Sequence, residues 1–150
     1  MSSDVEELLR DGRIEHVEAD SSAARDKLLE AKRHLDSAAR IADADPAGAY
    51  ALLYDAARKA IDAHMLASGY RVSRSRLGAH EATARYATAV LGKGHGDDAR
   101  HFDRMRRNRN RSEYGAWEVG RSTVEADLRH ARAIVLAVER ELARRSPSPP

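Results

Sequence analysis

The sequence predicts an all-α fold, and three observations predict it. Alanine, the best helix former and a poor strand former, supplies much of an apolar fraction of 42%, while aromatic residues make up only 5%. The 9 glycines and 4 prolines fall at few places, as helix punctuation does. Between those places apolar residues recur at spacings of three and four, the repeat of a helix with one buried face. The expected architecture is a bundle of four to five main helices plus a short N-terminal helix.

At 150 residues the chain is one domain's length. It has no cysteine, which removes disulfides, thiolate metal sites and cysteine nucleophiles together. No apolar run is long enough to span a membrane. The acidic start Met1–Glu7 lacks the apolar core of a secretory signal, so a cytoplasmic protein is the expectation. The net charge is only +2, which makes its distribution more informative than its sum.

Residues 1–20 carry Asp4, Glu6, Glu7, Asp11, Glu15, Glu18 and Asp20 against Arg10 and Arg13, a local balance of −5. They read as an acidic arm with a short helix over 5–10 that Gly12 ends. Asp20, Ser21 and Ser22 offer caps for a helix to about Ala42, with Leu28, Leu29, Leu35, Ala38, Ala39 and Ala42 as its buried face. Asp45-Pro46 opens the next helix, which Gly69 closes. Its stripe is Tyr50, Leu53, Tyr54, Ala57, Ala60, Ile61, His64 and Met65, and its alanines permit close helix approach. His64 falls on that stripe, where a satisfied core histidine is expected.

Residues 69–78 read as a basic loop. A helix over 79–91 and another from Asp97 to Arg111 are expected on either side of a flexible Gly92-Lys93-Gly94-His95-Gly96 break. That break lacks the longer phosphate-loop pattern. Ser122-Thr123-Val124-Glu125 spells a capping box for a last helix to about Arg145. Residues 21–145 form the helical domain in this reading, and 146–150, rich in proline, a disordered tail.

The densest charge is Arg100, Arg104, Arg106, Arg107, Arg109 and Arg111, which with Asp103 give residues 100–111 a net +5. On a helix Arg104, Arg107 and Arg111 share one face, and Arg106 and Arg109 an adjacent one. Two readings stand side by side. One is a solvated helix that pairs with the acidic arm. The other is a surface for phosphate oxygens, which arginine binds in bidentate fashion. Trp117 and Tyr114 flank this segment and can stack on nucleic-acid bases or pack the loop, with packing favoured for Trp117. No His/Asp/Glu group shows metal-ligand spacing, so neither a metal nor another cofactor is expected.

Arg109-Asn110-Arg111-Ser112-Glu113-Tyr114 resembles the signature of the HEPN superfamily, small all-α domains associated with nucleotides and RNA. In that motif an arginine is usually followed by a polar residue, with a histidine a few positions on. The stretch Tyr50–Ala60, ending in Leu66-Ala67-Ser68-Gly69-Tyr70, resembles the family's central helix and its glycine stop, and His80 sits where several members keep a histidine. The resemblance covers residues 22–145 and is nearest to an actinobacterial Arg-Asn…Glu-Tyr branch.

The resemblance implies a four- or five-helix bundle and a homodimer. In active members it implies a metal-independent endoribonuclease, in which histidine assists attack by a ribose 2′-hydroxyl and arginine stabilises the strained phosphate. Tyr114 stands where an active member has histidine, and a phenol with a pKa of about 10 is a poor base at neutral pH. The expectation is therefore an RNA- or nucleotide-binding protein, in a toxin–antitoxin or defence context, acting through Arg106, Arg109, Asn110 and Tyr114. Arg104, Arg107 and Arg111 add charge to that surface, and His80 and His101 are possible accessories. One alternative is a ribonuclease whose base is Tyr114 or His101. Another is an interaction module for a nucleotidyltransferase-type partner, with the acidic arm either serving that partner or covering the basic segment.

Overall fold

Capping side chains set where two of the helices begin. In the computed structural model, which describes residues 3–74, 78–115 and 117–145, the elements are α1 (Ser3–Arg10), β1 (Ile14–His16), α2 (Ser21–Ile41), α3 (Pro46–Ser68), β2 (Tyr70–Val72), α4 (Ala79–Glu113) and α5 (Arg121–Arg145). Asp20 caps α2 by accepting from the Ala23 amide at 2.9 Å, and Asp45 caps α3 by accepting from the Gly48 amide at 3.0 Å. Pro46 takes the first turn of α3, where its missing N–H costs nothing. Gly69 ends that helix with a left-handed φ of 87°, a conformation open to a residue without Cβ. The expected tail over 146–150 lies outside the described residues.

Helix α3 is the centre of the molecule. It packs against α2, α4 and α5 and buries residues around most of its girth, from Ala49 and Tyr50 to His64 and Met65. Ala56, Ala57, Ala60 and Ala63 are fully buried, as close neighbours on several sides require. His64 is a satisfied core histidine, with Nδ1 2.8 Å from the Tyr86 hydroxyl. Trp117 packs edge-on against Tyr50, with ring centroids 5.5 Å apart, so its role is packing.

The helical run of α4 is not straight. A straight α-helix would hold His80 and Phe102 about 33 Å apart. Both rings stack on Tyr54, with centroids 5.8 and 5.4 Å from it. The chain therefore reverses between them, and Gly94, with φ of 86°, is the left-handed residue at the turn. The expected break over 92–96 is this reversal. The first arm packs on α3 through Tyr86, and the second packs on α3 through Phe102 and on α5 through His101.

Three expectations change. Residues 69–78 contain a strand: β2 pairs antiparallel with β1, Ile14 opposite Val72 and His16 opposite Tyr70. Leu29 is half exposed and Ala39 is exposed, because the buried face of α2 runs through Ala24, Leu28, Ala31, Leu35 and Ala38 instead. Helix α5 starts one residue before the predicted cap, so Ser122 lies inside it and Glu125 binds Arg121 at 3.0 Å.

The acidic segment is docked on the body. Val5, Leu8 and Ile14 are buried in the main core. Its ion pairs include Glu15 with Arg71 and Glu7 with Arg85, away from residues 100–111. No helix among the described residues is long and apolar enough to cross a membrane.

Candidate functional site

The second arm of α4 sorts its side chains by helical period into three faces. Arg100, Arg104, Arg107 and Arg111 are exposed to solvent. Phe102, Arg106 and Arg109 turn toward Tyr54 and the first arm. Asp98, His101 and Asn108 turn toward α5 and the start of α3.

Tyr54 is the hub of the middle face. It is fully buried, its hydroxyl lies 2.6 Å from His80 Nδ1, and the Arg109 guanidinium sits 5.8 Å from its ring centre. Burial pushes the phenol well above its ordinary pKa, so it stays protonated. Burial also lowers His80, and the positive charges of Arg58, Arg109 and Arg106 lower it further. At neutral pH the imidazole is therefore uncharged, with three guanidinium groups around it.

Those arginines differ in how far they are neutralised. Arg58 binds Asp55 at 3.3 Å and Asp62 at 3.0 Å, and Arg106 binds Asp103 at 2.9 Å. Arg109 reaches Glu113 at 3.1 Å through one terminal nitrogen, while its Nε is buried without a hydrogen-bond partner among the described residues. A buried unpaired donor on a cation is costly, and an oxygen that displaced its neighbours to reach this atom would relieve that cost. A cavity of about 420 Å³ opens beside His80, with Lys27, Arg58, Arg71 and Arg74 on its walls against Glu18, Asp20 and Asp62, and Arg109 lies outside its lining.

The structure thus brings together Arg109, Arg106 and His80 of the residues singled out in the sequence. It does not bring in the others. Tyr114 is 86% exposed at the end of α4 and Asn110 is exposed one turn earlier. His101 lies on a different face of α4 and stacks on His130. Arg104, Arg107 and Arg111 form an outer basic row, with Arg107 paired to Asp103 at 3.7 Å. Tyr54 was legible only as part of the α3 stripe, and Arg58 only within the stretch Tyr50–Ala60. Their spacing, one turn apart on the same face, is the signal that could have set them beside His80.

A second polar cluster joins α4 to α5. His101, Asp127 and His130 offer atoms within 4.8 Å of one another. Residue spacing conceals this group because its members come from two helices that only the fold makes neighbours.

No protein-family model, curated protein or solved structure matches the chain.

Proposed function

We propose that the chain binds the phosphate of RNA or of a nucleotide at the Tyr54–His80–Arg109 cluster. The observation that carries the reading is Arg109, whose Nε is buried without a partner among the described residues, near an uncharged imidazole. A phosphate oxygen supplies the acceptor, and the fork of the guanidinium suits two such oxygens. With the Tyr54 hydroxyl donating to Nδ1, neutral His80 carries its proton on Nε2 and offers phosphate a further donor. The outer row of Arg104, Arg107 and Arg111 suits neighbouring phosphates along a strand. The HEPN resemblance supports the same reading, since Arg109 and His80 are positions that carry it. Under this reading two copies set their clusters along one cleft, and light scattering reads a dimer.

Fluorescence anisotropy with a single-stranded RNA tests it. Arg109→Ala should weaken binding about tenfold or more, and His80→Gln by less. Arg100→Ala, an outer charge bound to Asp97, should change little.

A second reading is favoured by the placement of His80 rather than Tyr114 beside Arg109. Here the chain is a metal-independent endoribonuclease. Nδ1–H donates to Tyr54, and Nε2 takes the proton of a 2′-hydroxyl as its oxygen bonds phosphorus and the 5′-oxygen leaves. It predicts RNA cleavage in EDTA that is lost in both His80→Gln and Arg109→Ala. Binding without cleavage selects the first reading.

A further inference from the structure

We infer that His101, Asp127 and His130 form a site for one divalent transition-metal ion, zinc by the chemistry of its donors, which clamps the second arm of α4 to α5. Two imidazoles and a carboxylate are a donor set that suits zinc, with a fourth tetrahedral position left for water. One atom from each residue lies within 4.8 Å of the other two. The site is separate from the Tyr54 cluster and does not depend on the function proposed there.

The surroundings resemble an outer shell already built. The carboxylate of Asp98 lies 3.0 Å from His130 Nδ1, which fixes that ring and leaves Nε2 as the donor. Asp127 is buried, at 4% exposure, and its Oδ2 accepts from the Tyr50 hydroxyl at 2.6 Å. That leaves Oδ1 for the ion. Asn108 in turn donates to Tyr50 at 3.3 Å, which holds the phenol in place. A buried carboxylate held by a neutral phenol is a charge that a cation balances.

The two imidazoles stack with centroids 3.6 Å apart and planes 16° from parallel. Coordination requires the rings to splay from the stack and the donors to close to about 3.3 Å of one another. Arg104 donates to Nδ1 of His101, so that ring's lone pair is on Nδ1, and binding an ion there requires Arg104 to withdraw from it. Its positive charge opposes a cation, and the two carboxylates of Asp98 and Asp127 outweigh it.

The test is a zinc titration of tag-free, EDTA-dialysed full-length chain by calorimetry, with thermal unfolding read alongside. Wild type and His16→Gln, a control on the exposed His16 of β1, should bind one ion per chain and gain thermal stability with zinc. His130→Ala and Asp127→Asn should bind at least about tenfold more weakly and lose the thermal gain. Asp127→Asn keeps a side chain that accepts from Tyr50, so it carries the test if His130→Ala does not fold. Cobalt(II) gives the second readout, a ligand-field spectrum present in wild type and absent in Asp127→Asn. No saturable zinc binding, or equal affinity in wild type and a folded variant, would overturn the site.

Discussion

His64 lies on the apolar face of α3 and His80 in the exposed first turn of α4, and their partners separate a structural histidine from a functional one. His64 is buried beside Tyr86, and its pKa is pushed down to about 4, first by burial and then by Arg145. The folded value lies below that of the unfolded chain, so the unfolded state binds this proton first as pH falls. Stability is therefore unaffected above about pH 6.5 and declines between there and pH 4, by up to about 3 kcal/mol from this one group. Urea midpoints measured from pH 7 to 4 should fall more for wild type than for His64→Gln. His80 is exposed and lies near the positive charges of Arg58, Arg109 and Arg106. If Tyr54 donates to its Nδ1, that bond favours the neutral ring, and Tyr54→Phe should raise the His80 pKa in an NMR titration. A fall instead would put the proton on Nδ1 and favour the ribonuclease reading.

At the scale of elements, the reversal of α4 does most to assemble the site, because it sets His80 and Arg109 on either side of Tyr54. Gly94 and Gly92 separate its local requirements. Nothing lies within 4 Å of a Cβ added at either, so added bulk meets open space at both. Only Gly94 has a positive φ. Gly94→Ala should therefore destabilise by about 1–2 kcal/mol through backbone strain alone. Gly92→Ala should be neutral or stabilise by up to about 1 kcal/mol, since alanine favours the helix. Thermal unfolding of the pair decides it. The turn was legible because its glycines cluster, and the caps Asp20 and Asp45 because they precede apolar-periodic runs. The two strands were not legible. Each is three residues long, too short for alternation to register, and their pairing depends on contacts between distant segments. Leu29 misled for a related reason: apolar identity does not fix which of two adjacent residues faces the core.

At the scale of the whole molecule, composition showed that residues 1–20 are acidic but not that they are anchored. Three of their apolar residues, Val5, Leu8 and Ile14, are enclosed by the fold. Leu8→Ala should cost about 2–5 kcal/mol, the range for truncating a buried leucine, and denaturant unfolding reads it. Of the candidate site, Arg109 and His80 were legible as residues worth watching, through the resemblance and the charge run. Their meeting at Tyr54 was not, since it depends on where α4 folds back. The same fold places Tyr114 in solvent, where periodicity gives no direction. RNA affinity for wild type and Arg109→Ala, measured at low and at moderate salt, decides whether Arg109 holds a phosphate. Wild-type affinity should fall as salt rises, because phosphate contacts release counterions, and Arg109→Ala should bind more weakly and with less salt dependence. Equal affinity for the two folded proteins, or no RNA binding by wild type, would contradict it.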